Sequence, residues 1–222
     1  TNRGGRTSHA AIVSRELGIP AVIGSETATE ALRDDQTVTL SCAHSDAGQV
    51  YEGELDYESE EIDLDALPDP DTRVMLNLAS PSAALDWWKL PVEGVGLARM
   101  EYVINNIIKV HPLALVAFDE VEDKTAQRRI EKLTEGYDDK GEYFVDHLSR
   151  GIATIAAAQH PHPVIVRLSD FKTNEYADLI GGRGFEPEEA NPMLGWRGAS
   201  RYYSDAYEKG FALECRALKR VR

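Results

Sequence analysis

"GVGLAR", Gly94–Arg99, and "HPVIVRLSD", His162–Asp170, decide how this chain folds. Each is an apolar run of strand length that opens beside Gly or Pro and finishes on charge. A third run, "RVMLNLA", Arg73–Ala79, precedes them, and "NPMLGWRG", Asn191–Gly198, reads as another of the same kind. Helical patterns lie between. "SPSAALDWWKL", Ser80–Leu90, starts with Ser and Pro, and Arg128–His160 is mostly helical. The segment "DAYEKGFALECRALKRVR", Asp205–Arg222, is helix-like to its last residue. Apolar strands separated by helices predict parallel βα units, whose strand C-termini carry the site in a (β/α) barrel. About 150 residues are too few for a typical barrel of roughly 250, so only its first half is expected.

Upstream, residues 1–53 read as a separate α/β unit. "SHAAIVSRELG", Ser8–Gly18, has apolar residues near a 3.6 period and closes on Gly18 with Pro20 beyond. "PAVIG", Pro20–Gly24, reads as a short buried strand and "TATEALRDD", Thr27–Asp35, as a second helix. "QTVTLSCA", Gln36–Ala43, and "GQVYEG", Gly48–Gly53, read as strands. Between the two regions, Glu52–Asp71 holds ten acidic residues and no basic one. Like charges extend a segment, so residues 54–73 are expected to be a solvated linker and residues 74–222 a second domain. The chain opens inside a motif without an initiator Met and ends in a helical pattern, which is expected of a piece of something longer.

Composition narrows the functions. The 222 residues are 42% hydrophobic with a net charge of -14, which argues against nucleic acid or an anionic membrane as partner. No run approaches the roughly 18 apolar residues of a membrane span. Cys42 and Cys215 form no framework and read as two reduced thiols of a cytoplasmic protein.

Two constellations could carry chemistry. In "RGGRTSHAAI", Arg3–Ile12, Gly4 and Gly5 allow a tight turn and close approach of another molecule. Thr7 or Ser8 can cap the helix, which places His9 at its N-terminus, where free N–H groups and the dipole favour an anion. There a neutral imidazole can attack phosphorus, with Arg6 and the hydroxyls around the product; the alternative is a histidine that merely caps or packs. The second constellation is Arg99, Arg167 and Arg197, each at the end of an apolar run. Arginine grips carboxylate and phosphate in a fork, so three in one barrel mouth would suit a small phosphorylated carboxylic acid. The alternative is three unrelated surface ion pairs. Glu101 and Asp170 are placed to orient these arginines. "HPHP", His160–Pro163, reads as a loop rather than a metal site. "GGRG", Gly181–Gly184, lacks the Lys-Ser/Thr of a P-loop, and Trp87 and Trp88 read as core and surface of one helix.

The motif "GGRTSHAAIVSRELGIPAVIG" resembles the phosphohistidine signature of the phosphoenolpyruvate-utilising enzymes. "GVGLARMEYVI", "VHPLAL", "VIVRLSDFKTNEYADLIGG" and "EEANPMLGWRGASRY" resemble the phosphoenolpyruvate synthases among them; the alternatives within the family are pyruvate phosphate dikinase and enzyme I of the sugar phosphotransferase system. The resemblance implies a swivelling β/β/α phosphohistidine domain and an incomplete (β/α)8 barrel. It implies that ATP, loaded in a separate ATP-grasp domain, phosphorylates His9 through a pyrophosphoryl intermediate, releasing AMP and phosphate. The phosphoryl group would then pass to pyruvate enolate, giving phosphoenolpyruvate.

Arg99 and Arg167 match the family's substrate-binding arginines and Arg197 a third active-site arginine. Thr7 matches the threonine modified by a regulatory kinase and phosphorylase. Gly4, Gly5, Arg6 and Ser8 would support the phosphate. Magnesium ligands and the proton-donating cysteine are expected beyond residue 222, with no metal held in this chain. A homodimer is the expected state of the full-length protein. A rival of another class is a non-catalytic phosphocarrier or regulatory module.

Overall fold

A computed structural model describes residues 1–5, 8–16, 18–43, 47–58, 60, 63–66, 68 and 70–222. Arg6 and Thr7 lie outside the described residues, as do parts of the acidic stretch. The chain divides into two compact units, Thr1–Asp63 and Leu64–Arg222.

The first unit begins with α1, His9–Glu16. The Ser8 hydroxyl accepts from the Ala11 N–H at 3.4 Å, so Ser8 caps the helix start. Gly18, at φ 64°, closes it, and the Ile19 N–H reaches back to the Ser14 carbonyl at 2.9 Å. A short α2, Ala28–Ala31, and a two-stranded antiparallel hairpin follow. The hairpin joins β1, Val38–Ser41, to β2, Gln49–Glu52, in the register Val38↔Glu52. "PAVIG" is not a strand: residues 20–24 are half-buried to exposed coil. Among the described residues the backbones of Val22 and Gly24 bond to Thr1, at 2.6 and 2.9 Å, and two bonds to one residue do not make a ladder.

The second unit is a mixed α/β assembly around a three-stranded parallel sheet in the order β3-β4-β5. The strands are β3, Leu76–Leu78, β4, Val95–Arg99, and β5, Val164–Arg167. Helix α3, Pro81–Asp86, connects the first two strands, with Pro81 in its first turn where a missing N–H costs nothing. The β4-to-β5 crossover is long. It runs through α4, Glu101–Val103, a π-helical turn Ile104–Ile108, α5, Pro112–Val116, α6, Lys124–Leu133, and α7, Lys140–Gln159. Asp123 and Asp139 cap α6 and α7 by accepting from Thr125 and Gly141 at 2.7 and 2.8 Å.

Helix α7 buries Phe144, Leu148, Ile152 and Ile155, a stripe at three- and four-residue spacing. Ile155 joins Leu78, Val95 and Ala98 of the sheet in one apolar cluster. At Gly94 a Cβ would lie 2.2 Å from the Pro163 carbonyl, so only glycine lets β4 start beside β5. After β5 come α8, Thr173–Ala177, α9, Ala199–Tyr202, and α10, Glu208–Val221, which packs on α7 and α5.

Two expectations fail in this unit. "NPMLGWRG" is an irregular loop rather than a strand, and its Met193 and Leu194 are exposed. Trp87 and Trp88 are both exposed, at 52% and 57%, because α3 ends at Asp86 and neither ring turns inward. "GGRG" forms a short 3-10 turn, Gly182–Gly184. Among the described residues no group of three or more His, Cys, Asp or Glu could hold a metal, and no helix is long and apolar enough to cross a membrane.

Candidate active site

Parallel pairing sets the geometry of the site. Arg99 and Arg167 are register partners at the C-terminal ends of β4 and β5. Neighbouring strands lie about 4.8 Å apart and paired positions face the same side, so the two side chains leave the sheet together. Both residues are exposed. Arg167 donates from Nη2 to Glu101 Oε1. The guanidinium of Arg99 makes no hydrogen bond or ion pair among the described residues.

Arg197 arrives by a different route. Its Nε and Nη2 clasp the Asp170 carboxylate at 3.0 and 2.8 Å, and Nη2 also donates to the Asp170 carbonyl at 3.2 Å. The Arg197 hydrogen bond holds the Asp170 carboxyl below its ordinary value, and the same contact raises Arg197. Arg197 is therefore carried by a loop clasped to the β5 end, not by a strand of its own. That loop is built by side chains. Glu189 accepts from Thr173 Oγ1 and from the Trp196 N–H, each at 2.7 Å. A Cβ on Gly195 would sit 1.8 Å from Glu189 Oε2, so the clasp requires glycine there. Arg201, fully buried between the Tyr176 and Trp196 rings, donates to the Trp196 carbonyl at 3.1 Å.

Glu101 and Asp170 orient the arginines, as their sequence positions suggest. Glu101 Oε1 bridges two elements, because it also accepts from the Asp170 N–H at 3.0 Å. Its Oε2 is buried and has no hydrogen-bond partner. The two carboxylates facing the mouth are thus both engaged by arginine.

Behind the mouth lie polar residues that sequence reasoning missed. Glu214, on α10, accepts from the Ser169 N–H at 3.2 Å and from the Ser169 hydroxyl. Burial pushes its carboxyl up to about 7, against the Ser169 hydrogen bonds, which lower it. A second buried set joins His111, Glu186 and Arg201. His111 Nδ1 accepts from the Leu113 N–H at 3.1 Å, so Nε2 carries the proton toward Glu186 Oε1 at 3.0 Å. Burial lowers the pKa of His111. Glu214 shares the inner face of α10 with Gly210, Leu213 and Ala217. A glutamate inside an apolar helical stripe is the signal that could have identified it.

In the first unit, His9 is the first residue of α1 and is exposed. Gly4 takes φ 126°, and a Cβ there would lie 2.8 Å from Ile23 Cγ2, so this turn needs glycine. Gly5 has nothing within 4 Å of an added Cβ, and its carbonyl accepts from the Ser8 N–H at 2.9 Å. The turn therefore brings Ser8 and His9 to the helix start with open space beside Gly5.

Comparison with known proteins finds a match for each of the two regions of the chain. Residues 1–45 match the mobile domain of the PEP-utilising enzymes, and residues 58–222 match their PEP-binding domain. A phosphoenolpyruvate synthase of Aquifex aeolicus is 49% identical, one of Synechocystis 54% and one of Escherichia coli 53%, each over the whole chain. The chain spans 31%, 27% and 28% of the length of these relatives. On these matches, the chain belongs to the PEP-utilising enzyme family.

Proposed function

We propose that the chain takes part in making phosphoenolpyruvate from pyruvate, ATP and water, with AMP and phosphate as the other products. In this reading residues 1–53 are the swivelling phosphohistidine domain, residues 54–73 the linker and residues 74–222 the first part of a (β/α)8 barrel. The observation that carries it is the pairing of Arg99 with Arg167 at adjacent parallel strand ends, with Arg197 clasped beside them through Asp170. Among the described residues Arg99 has no charged partner while Arg167 and Arg197 are oriented, which suits a carboxylate and a phosphoryl group bound side by side.

His9 is the proposed phosphoryl carrier. An imidazole nitrogen attacks the β-phosphorus of ATP and the bond to the α–β bridging oxygen breaks, so AMP leaves; water then cleaves the pyrophosphoryl group, releasing phosphate and leaving one phosphoryl group on nitrogen. In the second half the oxygen of pyruvate enolate attacks that phosphorus and the N–P bond breaks. Arg99 and Arg167 hold the carboxylate and the transferring group, and Arg197 stabilises charge in the transition state. Gly4 allows the turn, Gly5 leaves room for the incoming phosphate, and Ser8 and Arg6 support it. Modification of Thr7 would set a second phosphate beside His9 and block its turnover. ATP is the co-substrate, and magnesium, expected on ligands outside this chain, would supply charge neutralisation. The ATP-grasp domain of the same protein, a regulatory kinase and phosphorylase, and a second copy of the protein are the proposed partners, in the cytoplasm.

Substitution separates the two halves. In the full-length protein, Arg99→Ala or Arg167→Ala should leave acid-labile labelling of His9 from ATP intact. Each should cut pyruvate-dependent turnover by about a hundredfold or more. Turnover at the parental rate in both variants would remove the arginine pair from the site. Full labelling of His9→Ala would remove His9.

A further inference from the structure

We propose that Glu214 is a positioning residue for the arginine site, holding the segment Leu168–Asp170 at the end of β5 from behind. The segment leaves the sheet after Arg167, so its backbone has no ladder to join. Side chains from four other elements bind it instead. The Ser169 N–H donates to Glu214 of α10 at 3.2 Å, and the Ser169 carbonyl accepts from Tyr202 of α9 at 2.7 Å. The Asp170 N–H donates to Glu101 of α4 at 3.0 Å, and the Asp170 carbonyl accepts from Arg197 at 3.2 Å. Of these four clamps, Glu214 is the one with no exposure to solvent.

Its orientation is over-determined. Tyr207 donates to the Tyr176 hydroxyl at 2.8 Å, and the Tyr176 hydroxyl lies 2.7 Å from Ser169 Oγ. Ser169 Oγ in turn donates to Glu214 Oε1. The chain of hydroxyls thus runs toward the carboxylate. A carboxyl group with no exposure, whose pKa burial raises, is costly, and an apolar residue would fill the same space on α10 more cheaply. What the carboxylate adds is a fixed address for Ser169. Arg167 precedes Ser169 by two residues and Asp170, which clasps Arg197, follows it directly. A shift of Ser169 therefore moves two of the three arginines together.

The inference rests on Arg167 as a substrate ligand, so the experiment tests both. In the full-length protein, Glu214→Gln keeps the shape but replaces one accepting oxygen by an amide N–H. It should raise the KM for pyruvate about tenfold with a smaller change in kcat, and leave ATP-dependent labelling of His9 unchanged. Glu214→Asp, still an acceptor, should recover part of the loss. Ser169→Ala, which deletes the two hydroxyl bonds to Glu214 and Tyr176 and leaves the carboxylate and the Ser169 N–H in place, should raise KM a few-fold; it keeps the test open if Glu214→Gln folds poorly. Parental KM in both Glu214→Gln and Ser169→Ala would overturn the proposal. Parental turnover in Arg167→Ala would instead remove the site on which it rests, whatever the Glu214 variants do.

Discussion

Two arginines on paired strand positions would repel each other if neither had a counter-charge. Among the described residues Arg167 has Glu101 and Arg99 has no counter-charge, so the pair presents one neutralised and one open cation. The side chain of Arg167 is 42% exposed, so its ion pair serves orientation more than stability. Glu214 is the opposite case. Its carboxyl sits at about 7 when folded and near 4.5 when unfolded, so the folded form binds the proton more tightly. The stability this confers is complete below pH 4.5 and is lost as pH rises through 7. Glu214→Gln, which cannot ionise, escapes that loss. Relative to the parent it should gain on the order of 3 kcal/mol between pH 4.5 and pH 8. The check is the difference between the two unfolding transitions across that range. A difference that does not change with pH would show that Glu214 stays ionised throughout.

Elements form where backbone pairing and apolar burial agree. β4 and β5 satisfy both, and Gly94 is the point where their backbones come closest. Gly94→Ala would put a methyl group 2.2 Å from the Pro163 carbonyl, at φ 121°, which side-chain-bearing residues avoid. A loss of about 3 kcal/mol or more is expected in denaturant unfolding of this unit. Gly184→Ala, with nothing within 4 Å of its Cβ, is the control and should cost under about 1 kcal/mol.

The same balance explains what was legible. "GVGLAR", "VIVR" and the helices α7 and α10 follow from their own apolar patterns, because each packs on a partner, β4 on β5 and α7 on α10. "NPMLGWRG" has the composition of a strand, yet Pro192 offers no N–H and its neighbours are side chains: Glu189 takes the Trp196 N–H and Arg201 the Trp196 carbonyl. No local pattern reports a ladder replaced by side chains. Arg197 was legible as a site candidate for the wrong structural reason. Glu214 was passed over because its long-range partner, Ser169, lies 45 residues away.

At the scale of the molecule, the two proposed half-reactions sit on different units. Residues 1–63 carry His9, and residues 64–222 carry the arginines. The proposed linker, residues 54–73, falls largely within the acidic stretch Glu52–Asp71, which holds ten carboxylates in a chain of net charge -14. Like charges favour an extended segment, and about 20 residues can span at most roughly 65 Å. Under the proposed function this length serves only the second half-reaction, because loading of His9 from ATP does not involve the arginine site. Deleting residues 54–60 in the full-length protein should therefore leave the rate and extent of ATP-dependent labelling unchanged. Discharge of the label by pyruvate should slow by at least tenfold, since a tether too short to reach its site lowers the effective concentration toward zero. Replacing the acidic residues of 54–60 by Ser and Gly, at constant length, should slow discharge far less, because flexible chains of that length still reach. A pulse of labelled ATP followed by a pyruvate chase reads both steps in one experiment. Discharge at the parental rate in the deletion would mean that the segment is not the tether and that the histidine reaches the arginines by another route.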